Sequence, residues 1–382
     1  MKPTPRTLRE RWNSDPWKAF AAKVLASLAR GQLPPTSEIP HYEGRYDLRG
    51  LTFPEPKQTG TLRWSPPELP RPKTFRITKG RFESLGATLT NVDLSFAVLN
   101  LTDWQSTMFS DVLFRGAAVR HCHFTDCRFF DVSFEDADLR EASLGGYAGS
   151  PPSEYRRSYF VGTEMRETSY GYPYFEDCKF VRAKLDKVDF QGARFSKCTF
   201  EGKLREVWFR GWYSHPHPAD QEHFARVGID PHSIRNPMDG VDFTRAQLDD
   251  VMFVDEIDLS RCKFPEDGYH ILLEDRLRVY DEVMRTVAET WSEPSKSEAL
   301  AFVRRFRDRQ DKSAQRIDVV NRQSFEENPY VRRRGNPSWL PAFFDVLQQV
   351  ARKFETRPTS SQTVRSSPAQ PASEHQSGSA SQ

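Results

Sequence analysis

The sequence predicts a mainly β solenoid, and three observations predict it. From Ala87 onward an apolar residue falls on every fifth position: Leu89, Leu94, Leu99, Trp104, Phe109, Phe114, Val119, Phe124, Phe129, Phe134, Leu139 and Leu144. Two positions before each stands a small or β-branched residue: Ala87, Val92, Ala97, Thr102, Thr107, Val112, Ala117, Cys122, Cys127, Val132, Ala137 and Ala142. The chain also spends 28 Phe in a composition that is 28% charged, so a repeated element is consuming phenylalanine. With 37% apolar residues overall, chance gives the first series a probability on the order of 10⁻⁵.

Neither regular element has this period. Five-residue steps carry a side chain about 140° around an α-helix each time and scatter the apolar residues over its whole surface. On a straight strand an odd period throws successive large residues to opposite faces. A chain that turns a corner once per unit satisfies the pattern, sending one large and one small residue inward while three face out. Stacking such coils at strand spacing pairs their backbones and builds a continuous interior column.

The segments "AVLNLTDWQ", "DVSFEDADLREASL" and "RAKLDKVDFQGARFSKCTF" resemble the pentapeptide-repeat family, whose unit approximates A-(D/N)-L-x-x. The resemblance implies a right-handed quadrilateral β-helix of four pentapeptides per coil, with the central residue and the small residue before it pointing inward. A second block keeps the rule in a shifted frame at Phe160, Met165, Tyr170, Phe175, Phe180, Leu185, Phe190, Phe195 and Phe200. Its small positions include Cys178, Ala183, Ala193 and Cys198. A third runs through Phe243, Leu248, Phe253, Leu259 and Phe264, with Cys262 in its last small slot and a six-residue step that reads as a bulged corner. These centres make about six and a half coils, a rod roughly 30 Å long.

Element by element, residues 1–44 supply an amphipathic helix, "SDPWKAFAAKVLASLARG", with Ser14 or Asp15 as cap and Gly31 at its exit, and a linker. Residues 45–265 form the β-helix, opening on Leu48, Leu51 and Phe53 as a degenerate coil or cap, with loop insertions at 145–157 and 211–240. Residues 266–355 show helical spacing in "YHILLEDRLRVYDEVMRTVAETW", "SEALAFVRRFRDRQ" and "SWLPAFFDVLQQVARKF". Residues 356–382 are rich in Ser, Pro and Gln and read as a disordered tail.

Function must then be sought on the surface. Lys plus Arg total 55 against 53 acids, so net charge favours neither nucleic acid nor a polyanion mimic as a whole. No apolar run is long enough to span a membrane, and five cysteines without a disulfide framework suit a reducing cytoplasm. The stretch "HCHFTDC" (121–127) suggests a metal site, yet Cys122 and Cys127 occupy inward slots while His121 and His123 face out. All five cysteines fall in buried small positions, where a thiol behaves as a small hydrophobe. No nucleophile elbow, phosphate loop, zinc-protease helix or dinucleotide fingerprint occurs, so no catalytic residue, metal or cofactor is expected.

The sequence therefore points to a non-enzymatic, rigid scaffold for protein–protein interaction. The 211–240 insertion, with Trp212, Tyr213, His215, His217 and His223, is the candidate partner-binding loop, because long loops on rigid scaffolds tend to carry function. Its histidines match no zinc-ligand spacing. The resemblance implies an alternative: some bacterial family members mimic DNA, bind type II topoisomerases such as gyrase and protect them from poisons. Residues 87–146 carry nine acids against four Lys/Arg, but 158–210 carry ten Lys/Arg against eight acids, which breaks an acidic stripe. Nucleic acid and membrane are not expected as partners. Family members also dimerise through C-terminal elements, which leaves a homodimer through the C-terminal region open.

Overall fold

A corner every five residues needs a backbone conformation that strands lack, and the chain supplies it in step with the repeat. The computed structural model describes residues 3–64, 73–146, 150–214, 218–308, 315–326 and 337–355. In it the second residue after most centres has positive φ, as at Asn91 (57°), Asp111 (54°), Asp131 (56°), Asp136 (53°) and Asp177 (53°), with Gly116, Gly162, Gly192 and Gly202 at equivalent corners. The left-handed region costs a side-chain-bearing residue roughly 1–2 kcal/mol and costs Asn and Asp least. The recurrence of Asp at corners follows from that preference.

Four corners close one coil, and the coils pair in parallel. Leu89 lies beside Phe109, Phe109 beside Phe129, and Phe160 beside Phe180 and then Phe200. The result is a right-handed quadrilateral β-helix. Each face contributes one interior column. In the first, the rings of Phe109, Phe129, Tyr155 and Phe175 stack at 4.8, 4.3 and 4.8 Å. In the second, Phe114, Phe134, Phe160, Phe180 and Phe200 stack at 5.1, 5.1, 4.8 and 4.7 Å. The third is aliphatic: Leu99, Val119, Leu139, Met165, Leu185, Leu204 and Leu248. The fourth runs from Trp104 and Phe124 through Leu144 and Tyr170 to Phe190, Phe209 and Phe253. Leu94, Phe195 and the small residues Ala87, Ala97, Ala137, Ala183 and Ala193 are buried in the same cluster.

Both interruptions are shorter in the β-helix than the sequence suggested. Tyr155 pairs with Phe129, six residues beyond the regular step of twenty, so the excursion ends before Ser153 and shifts the frame by one. Within the segment expected as loop, Glu154–Arg156 is a strand, and buried Ser153 fills a small slot. Across the second interruption, Leu204 and Phe209 pair with Leu248 and Phe253, and Ser196 bridges to Asp239, which sets Met238 over Phe195. Tyr155, Leu204, Phe209 and Met238 are thus centres that the five-residue count passed over, and the rod is longer than the count implied. An unforeseen antiparallel hairpin, Lys57–Trp64 with Lys73–Lys79, also leaves the first coil.

Both ends are closed by the chain itself. Helix α1 (Pro5–Glu10), with a Thr4 capping box the sequence reading missed, and helix α2 (Trp17–Ala29) cover the first coil. Ser14 and Asp15 do not cap α2: its cap is Pro16, and the Ser14 hydroxyl donates to Arg11 O instead. Trp12 Nε1 donates to Arg49 O at 2.8 Å, and Gly50 lies so close under Leu8 that a Cβ would come within 2.5 Å of its carbonyl carbon.

At the far end "HILL" (270–273) is a strand rather than the start of a helix, because Asp318–Asn321 lies antiparallel beside it. Among the described residues four helices follow or flank this pair: α4 (Arg276–Thr290), α5 (Ser295–Arg307), the short α6 (Arg322–Glu326) and α7 (Leu340–Lys353). They share a second core containing Val279, Val283, Phe302, Phe343, Leu347 and Val350. Arg276, fully buried, donates to the last carbonyls of α5, Phe306 O at 2.9 Å and Arg307 O at 3.2 Å. The tail at 356–382 lies outside the described residues.

Candidate interaction surface

The buried thiols separate from any surface chemistry at once. Cys122 Sγ donates to Leu99 O at 2.9 Å, Cys127 to Trp104 O at 3.3 Å, Cys178 to Tyr155 O at 3.2 Å, Cys198 to Phe175 O at 3.4 Å and Cys262 to Met238 O at 3.3 Å. Each reaches a carbonyl on the preceding coil. Burial pushes the Cys122 thiol up to about 11 and the Cys127 thiol up to about 12, away from thiolate reactivity. The neighbouring histidines diverge: His123 Nδ1 sits 3.0 Å from Asp103, whereas His121, at a corner, lies 3.4 Å from Glu141. Among the described residues no group of three or more His, Cys, Asp or Glu is placed to hold a metal ion. Nor, among them, is any helix long and apolar enough to cross a membrane.

On the outside, charges pair both within a coil and from coil to coil. Along the third face Arg120 and Arg140 hold Asp138 at 2.6 and 2.8 Å, Arg166 holds Glu164 at 2.6 Å, and Lys203 holds Asp249 at 2.8 Å. Along the first, Arg157 meets Asp131 at 2.7 Å, Arg156 meets Glu176 at 2.8 Å, and Arg261 meets Asp239 at 2.8 Å. Exposed pairs of this kind add little stability singly. Together they intersperse both signs over these two faces.

The 211–240 insertion is a folded element. It carries helix α3 (Pro218–Val227) and a short 3₁₀ turn, Pro231–Ser233, and it is pinned to the rod at several points. Tyr213 and Phe224 pack on Tyr172, a corner residue, and Trp212 stacks on His232 at 3.6 Å. Asn236 Oδ1 accepts from Phe195 N–H at 2.9 Å and its Nδ2 donates to Arg210 O at 3.1 Å. Buried Arg210 ties the foot of the insertion to Asp189 and Asp255, each at 2.9 Å. His215 and His217 lie outside the described residues, and so does the side chain of His223. Of the residues proposed for binding, then, Tyr213 packs against the rod at Tyr172, whereas Trp212 stacks within the insertion. Among the described side chains of the insertion the exposed large hydrophobics are Val227 and Ile229, 44% and 39% exposed, which periodicity could not distinguish from any other loop positions.

A recess lies between the last coil and the C-terminal helices. It is a cleft of about 880 Å³ lined by Lys263, Phe264, His270, Leu272, Glu274 and Arg352, among others.

Residues 108–146 and 174–202 match the family model described as pentapeptide repeats, in eight copies. No curated protein matches the chain. Similar solved structures include trypsin-treated QnrB1, described as a plasmid-mediated fluoroquinolone resistance protein, at 16% identity over 45% of this chain and 82% of that one, TM-score 0.20. HetL of Nostoc sp. strain PCC 7120, a pentapeptide repeat protein involved in heterocyst differentiation regulation, is 13% identical over 48% of this chain and 90% of its own, TM-score 0.17. A pentapeptide repeat protein of the Arabidopsis thaliana thylakoid lumen is 17% identical over 35% and 72%, TM-score 0.10. With the repeat matched in sequence over those residues and coiled in space with a corner every five residues, the β-helix of this chain is built of pentapeptide repeats.

Proposed function

We propose that this protein is a non-enzymatic scaffold that presents the folded 211–240 insertion to a protein partner. The observation that carries the reading is the anchoring of α3. Buried Asn236 and Arg210 fix the insertion to a rigid rod, while Val227 and Ile229 stay exposed on its outer side. Holding a surface in advance lowers the ordering cost of association. The five free cysteines, all buried, suit a reducing compartment such as the cytoplasm. The apolar stripe of α7, Phe343, Leu347 and Val350, is used within the chain, so a homodimer through the C-terminal region would rest on other faces.

DNA mimicry toward a type II topoisomerase is the second reading, favoured by the projecting insertion. Against it stands the pairing of acids with Arg and Lys along the rod, since a mimic of duplex DNA needs unneutralised negative charge. Gyrase supercoiling with and without a fluoroquinolone separates the two readings. The scaffold reading expects no effect of the protein at micromolar concentration, and protection of gyrase would replace it with mimicry.

A further inference from the structure

The C-terminal unit grips the rod at the backbone of one residue, Leu248. In the third column each centre's N–H donates to a carbonyl of the following coil: Leu99 to Ala118 O at 2.8 Å, Val119 to Asp138 O at 2.8 Å and Leu139 to Glu164 O at 2.8 Å. Leu248 is the last centre of that column, and no coil follows it. Its N–H donates instead to Nε2 of His270 at 3.0 Å, and its C=O accepts from Asn321 Nδ2. His270 and Asn321 are cross-strand partners, so the end of the two-stranded sheet holds both backbone polar groups of one residue. The His270 side chain is 1% exposed. Its Nδ1 lies 3.1 and 3.0 Å from the two oxygens of Asp267, which fixes the proton on Nδ1 and leaves the Nε2 lone pair for Leu248.

We propose that His270 is a proton-sensitive latch joining the C-terminal unit to the β-helix. A proton on Nε2 removes the acceptor and sets two donors, imidazolium N–H and Leu248 N–H, against each other in a buried site. Leu248 N–H occupies the Nε2 lone pair in the docked state, so that state disfavours the proton that the released histidine is free to take up. By linkage the docked state loses stability as pH falls.

The charged groups around the joint are carboxylates and strong bases. Asp267 faces Nδ1; Asp249, paired with Lys203 at 2.8 Å, meets Tyr269 from the rod; Asp318 lies on the partner strand. Glu266, Glu274, Arg261 and Lys263, with Arg352 of α7 and Glu355 just beyond that helix, border the cleft that His270 also lines. None of these types ordinarily changes charge between pH 5 and 8, whereas histidine does. Release would open the cleft, because its two walls belong to the two units.

Amide hydrogen exchange of the full-length protein, read as protection factors from pH 7.5 to 5.5, tests the latch. Protection at 270–273 and 318–321 should fall at least tenfold, while rungs around Phe109 and Phe129 hold theirs. In His270→Gln the side-chain carbonyl still accepts from Leu248 but cannot titrate, so the pH dependence at the joint should disappear. A wild-type joint as flat as the variant's, or protection lost equally along the rod, overturns the proposal. Should His270→Gln not fold, Asp267→Asn decides. Removing the carboxylate that favours imidazolium in the released state should move the transition to lower pH, and an unmoved transition overturns the proposal.

Discussion

Phe134 lies between Phe114 and Phe160 at 5.1 Å from each, with interplanar angles of 3° and 9°. Removing its ring leaves a void that the neighbouring coils, held by ladder hydrogen bonds, cannot close. Phe134→Ala should cost about 3–5 kcal/mol in chemical denaturation. Cys122→Ala, in a small slot, should cost about 1 kcal/mol through loss of the thiol contact with Leu99 O. Corners give the opposite sign. Arg182 holds φ at 50° with a side chain that gains nothing from it, so Arg182→Gly should raise stability by about 1 kcal/mol in the same assay. At this scale the sequence was most legible: the period of five distinguishes inward from outward residues, which is why "HCHFTDC" resolves into two core thiols and two surface histidines. It failed at Tyr155, Leu204, Phe209 and Met238, where an inserted or deleted residue breaks the count although the stacking geometry is kept.

Among the elements, the caps are polar as well as apolar. Asp47 receives Arg11 at 2.8 and 2.7 Å and Arg49 at 2.9 Å through each oxygen, and Arg11 also donates to Arg49 O. Burial pushes the Asp47 carboxyl up, but hydrogen bonds and charge from the two arginines outweigh it and hold it well below the usual carboxylate range. A group lowered in the folded state stabilises above its unfolded value, near pH 3.9, and loses that contribution as pH falls below it. Urea unfolding between pH 5 and 2.5 should therefore show an acid-sensitive loss that Asp47→Asn, already destabilised at pH 5, largely lacks. Little of this was readable beforehand. Capping depends on contacts between residues far apart in sequence, such as Arg11 with Asp47 or His270 with Leu248, and a local pattern carries no trace of them. The strand at 270–273 was hidden for the same reason, since its partner at 318–321 lies beyond two helices.

The whole molecule is a capped rod with one folded insertion on its side. Its third column is aliphatic while the other three are largely aromatic, and its first and third faces carry both signs of charge in pairs. Among the described residues those two faces carry no long acidic stripe, which fits the proposed recognition through shape and the insertion. That fold class was evident in the period and in the family resemblance, whereas the exposed pair Val227 and Ile229 needed α3 to be placed in space. The most direct measurement is quantitative affinity capture with the full-length protein and with Val227→Asp/Ile229→Asp, followed by titration of the purified partner against both. The scaffold account predicts a specific protein bound by the natural chain and weakened at least tenfold by the double substitution, with unchanged thermal stability. A partner bound equally by both proteins, or none bound by either, would contradict it.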